Sequence, residues 1–330
     1  MKRLGLALVP QRDISMPDYI AMARLAEQQG YEVIWGAESN GYELFSFLSV
    51  LLHQTHRIKA APGIASMFTR TPALMAMSAA TWHLIAPGRS LLGLGVSTRI
   101  IVGNWHGLTW DQPLGRTAEY VDMLRRALRG ERLVHHGQFY TSQQFRLGVE
   151  PPGDVPIYLA AVNAKMLRLA GEIADGVLLT WVPLGAVEQV VAEIRAGAKA
   201  VGRDPKDLDI AMYLRTCVTD DRAAAVQWLR HDITGYAVAD VYSRVFRRFG
   251  FQAEVAAMQD AWRRGDRALA MAQIADPMVD ALGVIGTADV CREKVEAFVA
   301  AGVDEPIILP FTPQANALPA YWQTIAAFSA

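Results

Sequence analysis

Short apolar runs alternate with longer helical stretches along the whole chain, and this alternation constrains the fold more than any other feature. Runs at 4–9, 32–37, 58–65, 90–96, 155–161, 176–181, 208–218 and 306–310 are apolar on both faces. Strands buried inside a parallel sheet have that pattern. The stretches between them carry helical ends. Ser15 stands before Pro17 as an N-cap, and Gly30 closes the helix over 17–29. Pro87-Gly88 stops an Ala- and Met-rich helix over 72–85, and Gly130 closes 116–129. Further helices are expected over 43–54, 165–174, 186–200, 287–301 and 319–328, with a hairpin over 134–148 turning at Gly137. Eight such units predict an α/β fold of the (β/α)8 TIM-barrel type with insertions. The helical stretch 221–280 is then an extra insert on the seventh unit. Without an internal repeat or a linker, residues 1–330 read as one domain.

Composition narrows the partners. The chain is 52% hydrophobic and 20% charged, with net charge −1, which fits a soluble enzyme and gives no basic face for nucleic acid or an anionic membrane. The longest apolar window, 72–86, is interrupted by Thr81 and His83, so no membrane span is expected. The first apolar run has only six residues before Pro10, too short for a secretion signal, so a cytoplasmic location is expected. Cys217 and Cys291 lack CxxC or His-rich context and read as buried reduced thiols. His135-His136 read as solvent-facing hairpin residues without a third ligand, so no metal site is expected. Arg244, Arg247 and Arg248 sit at helical spacing, as on a solvated basic face. No G-x-S-x-G elbow or Ser-His-Asp set supports hydrolysis.

The stretch "RSLLGLGVSTRIIVGNWHG", residues 89–107, admits two readings. A dinucleotide fingerprint needs a third glycine and an immediate helix, whereas this chain has Thr98 followed by a loop carrying Asn104, Trp105 and His106. At the C-terminal end of a barrel strand, Gly93 and Gly95 would instead let a ligand approach the backbone. Ser97, Thr98 and Arg99 would then offer hydroxyls, amides and a cation to a phosphate.

Four blocks carry a resemblance that favours the barrel reading: "APGIASMFTRTPALMAMSAAT" (61–81), 89–128 with "GNWHG" and "QPLGRTAEYVDMLRRAL", "VPIYLAAVNAKMLRLAGEIADGVLL" (155–179) and "GTADVCREKVEAFVAAGVDEPIILPF" (286–311). Together they span most of the chain. They resemble the luciferase-like monooxygenase superfamily, and most of all its branch using coenzyme F420, an 8-hydroxy-5-deazaflavin. The resemblance implies hydride transfer between the deazaflavin C5 and a small organic substrate, in an enzyme that is often a homodimer. An FMN-dependent monooxygenase on the same fold is the nearest alternative. A flavin-binding protein without turnover and a phosphosugar enzyme stand further off.

Residue by residue, the resemblance puts the ring against Gly63, Ile64, Ala65 and Ser66, with a non-prolyl cis peptide at Gly63–Ile64. It puts the ribityl chain and phosphate near Ser97 and Thr98, and near the backbone amides of Ala161, Val162, Asn163 and Ala164 at a helix start. Many deazaflavin-dependent relatives have Gly-Pro where this chain has Asn163-Ala164. Glu38 stands where some relatives carry an Asp or His that approaches the ring, and in an apolar pocket it would act as an acid. His106 is the second proton-transfer candidate. Trp105 and Trp181 are candidate walls of the substrate pocket. Arg70 and Thr71 precede a helix and suit either an anionic cofactor tail or a subunit interface.

Overall fold

The computed structural model describes residues 3–329. Its strands are β1 (Gly5–Leu8), β2 (Val33–Gly36), β3 (Lys59–Pro62), β4 (Ala65–Ser66), β5 (Leu92–Gly95), β6 (Leu133–His136), β7 (Thr141–Phe145), β8 (Ile157–Ala160), β9 (Gly176–Leu179), β10 (Asp209–Val218), β11 (Gly283–Gly286) and β12 (Glu305–Pro310). The main sheet is parallel and runs β3-β2-β1-β12-β10-β9-β8-β5-β4. Its two end strands are halves of one strand, β3 and β4, either side of Gly63–Ile64, so the sheet returns on itself. A bridge between Ala60 and Ser90 helps close the ring. The barrel therefore has eight strand positions, as the alternation predicts.

Helix boundaries follow local chemistry. Ser15 caps Met16–Gln28 in a reciprocal box with Asp18, and Thr71 caps Pro72–Ile85. The insert resolves into helices Arg222–Ala237, Asp240–Arg248, Gln252–Arg263, Arg267–Ala272 and Asp276–Leu282.

Several expectations need correction. The third strand is broken in the middle rather than continuous over 58–65. Gly283–Gly286 forms a ninth parallel segment beside the upper half of β10, hidden in the sequence because only Val284 and Ile285 separate its glycines. The loop after β5 contains a π-helical turn, Ile100–Trp105, held by buried Val102. His135 is not a free solvent residue, because its Nε2 lies 3.0 Å from Glu119 Oε1. Of the three arginines on Asp240–Arg248, only Arg244 is exposed: Arg247 bonds Gln259, and Arg248 pairs with Glu193. The two cysteines are buried and free, as expected. Burial pushes Cys217 up to about 12 and Cys291 up to about 11, which keeps both out of thiolate chemistry.

Inward residues stack in layers up the barrel. Ala7, Val33, Trp35, Ala61, Leu91, Tyr158, Leu178, Ala211 and Ile307 fill the interior, with Ile64, Tyr213 and Leu309 against them. A charged plug closes the floor. Glu305 is fully buried and accepts from Trp35 Nε1 at 2.7 Å and from Arg3 Nη2 at 2.9 Å. Arg3 also pairs with Asp209 at 2.8 Å and Glu32 at 3.1 Å, and Tyr158 donates to Asp209. Burial is the main reason the Glu305 carboxyl is pushed up to about 7.

Candidate active site

The C-terminal ends of the strands form the barrel mouth, and there the broken third strand makes a bulge. The Gly63–Ile64 peptide is cis, as the resemblance implies. Gly63 N–H donates to the Gly36 carbonyl at 2.6 Å, and the Tyr213 hydroxyl donates to the Gly63 carbonyl at 2.9 Å. A Cβ on Gly63 would sit 1.8 Å from that hydroxyl. The glycines of β5 serve the same bulge. A Cβ at Gly93 would meet the Pro62 carbonyl at 2.0 Å, and one at Gly95 would meet Ile64 at 2.8 Å. The sequence reading left the Cβ side of these glycines to a ligand; in the structure the chain's own bulge fills it.

Beside the bulge, Ala65 and Ser66 are buried, while Gly63 and Ile64 are half-buried. Ser66 N–H donates to Glu38 Oε2 at 3.1 Å. Glu38 Oε1 lies 2.5 Å from Arg70 Nη1, and Arg70 Nη2 lies 2.6 Å from Glu43 Oε1. Arg70 therefore bridges two carboxylates, with its plane over Phe45 at 5.1 Å. Glu38 does not face an apolar pocket, and its carboxylate is ion-paired.

Across the mouth, Ser97 is held at φ 55, a left-handed conformation uncommon for a residue with a Cβ. Thr98 Oγ1 accepts from Ile101 N–H at 3.2 Å and so starts the π-helical turn. Both are half-buried. The next loop, Ala161 to Ala164, leads into helix Ala164–Ile173. Asn163 caps that helix by accepting from Met166 N–H at 3.1 Å. Ala161 is buried, Val162 half-buried, and Asn163 and Ala164 exposed. The first amides of this helix have no intrahelical acceptor and carry the positive end of its dipole.

The two candidate tryptophans diverge. Trp105 is 52% exposed at the rim, next to exposed His106. Trp181 is buried at 2%, has φ 57, and packs edge-on against Tyr236 and Phe246 of the insert. Over its face lies the Arg215 guanidinium, 3.3 Å from the ring centroid. Arg215 Nε donates to Asp232 at 2.7 Å and Nη1 to Thr180 at 3.3 Å. The sequence reading missed Arg215, Asp232 and Tyr213. The available signal was an arginine inside the apolar run 208–218, which needed either a partner or a function. Among the described residues no group of His, Cys, Asp and Glu could hold a metal ion, and no helix is long and apolar enough to cross a membrane.

Chemically, the mouth offers an uneven apolar wall at Ile64, an anion-compatible edge of hydroxyls and helix-start amides, and an ion-paired carboxylate beside Ser66. The luciferase-like monooxygenase family profile matches residues 4–305. A 5,10-methylenetetrahydromethanopterin reductase of Methanolobus tindarius is 35% identical over 287 residues, covering 86% of this chain and 87% of that protein. A putative coenzyme F420-dependent oxidoreductase of Mycobacterium tuberculosis is 28% identical, covering 93% and 94%. Among solved structures, the coenzyme F420-dependent tetrahydromethanopterin reductase of Methanopyrus kandleri superposes with a TM-score of 0.83 at 23% identity, covering 98% and 97%.

Proposed function

The chain belongs to the luciferase-like monooxygenase family, and we propose that within it the protein is a coenzyme F420-dependent oxidoreductase moving a hydride between the deazaflavin C5 and a small organic substrate. The observation that carries this reading is the donor set around the bulge. Ser97, Thr98 and the amides at the start of helix Ala164–Ile173 suit a phosphate, and the Ile64 wall suits a flat ring. These residues fit coenzyme F420, which when bound supplies the two-electron chemistry at C5.

The remaining work belongs to the chain. Tyr213 and Gly36 hold the bulge from both sides, so Ile64 presents a fixed rear wall. Arg70 orients Glu38, and Glu38 orients Ser66. Glu38 and His106 are the proton-transfer residues: Glu38, held by Arg70 and Ser66 as an ion-paired carboxylate, suits a proton acceptor, and His106 lies exposed at the rim. Trp105, exposed on the π-helical turn, covers the substrate from above.

The insert's core is completed by Trp181, Cys217, Ile285 and Phe311 of the barrel, which supports one domain over 1–330. Leu74, Met77 and Leu84, exposed at 47%, 52% and 83% along helix Pro72–Ile85, support a homodimer in solution, which sedimentation equilibrium tests. The near-neutral net charge supports a small-molecule substrate rather than nucleic acid as partner. The test of function is F420-dependent turnover. Glu38→Gln and His106→Ala variants that still bind F420 but lose activity support the assignment. Unchanged kcat in both removes these two residues from proton transfer.

A further inference from the structure

On β10, Ala211 and Tyr213 belong to the barrel interior, and strand alternation makes Arg215 the next inward residue. On β9, Leu178 is interior and Thr180 is next by the same rule. The Nη1 bond from Arg215 to Thr180 joins these two residues. Arg215 therefore sits one layer above the Tyr213 hydroxyl that fixes the Gly63 carbonyl, at the level of whatever lies on the bulge. It is 6% exposed, and Asp232 balances its charge. Beneath the guanidinium plane, Trp181 Nε1 is a buried donor with no hydrogen-bond partner. A buried N–H without an acceptor is costly, because it has lost its hydration with nothing in exchange. Trp181 also holds a left-handed backbone, a second local cost at the same residue. Two costs at one residue, at the level of the proposed ring site, point to a ligand that repays them.

We propose that Arg215 and Trp181 form the substrate's oxygen-acceptor site, and that the substrate brings to it a neutral carbonyl oxygen on a flat, unsaturated framework. This deepens the proposed hydride-transfer reading and rests on it. The neutral class follows from charge. The Arg215–Asp232 pair has no net charge, so a carboxylate or phosphate would face an already neutralised cation and the carboxylate of Asp232. A carbonyl oxygen needs only donors, and indole and guanidinium N–H groups supply them. The flat, unsaturated class follows from the aromatic rings around Trp181, whose faces and edges favour another ring. Tyr236 and Tyr242 stand edge to face at 4.8 Å, and both are partly exposed. Tyr236 packs on Trp181 at 5.0 Å and is the ring that turns to admit the oxygen.

The test follows the Trp181 indole ¹⁵N–¹H resonance in full-length protein loaded with F420, identified by its absence in Trp181→Phe. The probes are 2-pyridone as a neutral carbonyl ring and benzoate as a charged ring of similar size. We expect 2-pyridone to move this resonance downfield to saturation, with benzoate at least tenfold weaker. Arg215→Ala should weaken 2-pyridone binding at least tenfold by this resonance, and Trp181→Phe should weaken it at least tenfold by isothermal titration calorimetry. Arg215→Lys, which retains a cation but loses the planar fork, should be intermediate. An unmoved resonance, or an equal response to benzoate, overturns the proposal. The same titration in protein without F420 separates the two readings. Wild type that fails to bind F420 but responds to 2-pyridone defeats the cofactor reading while the acceptor site stands.

Discussion

The floor and the mouth of this barrel are both built around an arginine held between carboxylates, and they put that chemistry to different use. At the floor, Arg3 joins Glu32, Asp209 and Glu305, with Trp35 and Tyr158 completing the plug. Glu305 there is fully buried. At the mouth, Arg70 joins Glu38 and Glu43 but stays at the edge of solvent, while Ser97 and Trp181 hold left-handed backbones nearby. Most of the floor's polar groups point at one another, with Asp209 Oδ1 the buried exception. The mouth keeps groups that point at nothing in the chain, including an indole N–H and the first amides of a helix. Barrels place their chemistry at the C-terminal ends of strands and their stability at the other end. Here the difference is one of burial and of backbone: the floor buries Glu305 fully, whereas the mouth keeps Arg70 near solvent and holds Ser97 and Trp181 in left-handed conformations.

The most severe way to break this contrast is to fill the bulge from beneath. Gly93→Ala puts a Cβ against the Pro62 carbonyl, and backbone cannot swing away. We expect a loss of about 3 kcal/mol in urea unfolding, together with loss of F420 binding. A variant that keeps both would show that the bulge is not what β5 makes room for.

Next in size is Glu38→Gln. Its amide oxygen still accepts from Ser66 but its amide nitrogen then faces Arg70, so the ion pair is lost and stability should fall by about 1 kcal/mol, while kcat falls about a hundredfold. Equal damage to stability and to rate would make Glu38 a structural residue like those of the floor.

The floor answers to pH. Glu305 has its folded value raised from 4.5 to about 7, so the folded state binds its proton more tightly than the unfolded chain does. Its contribution is therefore full below about pH 4.5 and is lost as pH rises through 7. Urea midpoints between pH 5 and pH 8 should fall for the wild type and fall less for Glu305→Gln, whereas parallel curves would remove Glu305 from the balance. The smallest effect sharpens the scale. Arg168→Ala removes an exposed i,i+4 pair with Glu172 and should shift stability by less than about 0.5 kcal/mol.

Much of the barrel is legible in the sequence because its signals are local. Buried parallel strands are apolar on both faces, and caps such as Ser15 and Thr71 announce their helices. The breaks are less local. Pro62-Gly63-Ile64 reads as ordinary strand, because its interruption depends on Tyr213, 150 residues away along the chain. The segment Gly283–Gly286 is too short for period-2 reasoning and exists only beside β10. At the site, residues 38, 63–66, 97–98 and 161–164 each follow or end a barrel strand, which the linear pattern of strands already implies, while their roles toward a cofactor are proposals. The Arg70 bridge and the Arg215–Trp181 stack escape a linear reading, because each partner looks like an ordinary charged or aromatic residue until folding brings the pair together.

The central claim is tested most directly by titrating the purified protein with coenzyme F420 and, separately, with FMN, following the fluorescence of its eight tryptophans. The account predicts micromolar binding of F420 and much weaker binding of FMN, with F420 affinity falling at least tenfold in Gly93→Ala. A preference for FMN would contradict it and turn the chain toward oxygen-dependent monooxygenation. Binding of neither would undo the assignment of Ser97, Thr98 and the helix start at Asn163-Ala164.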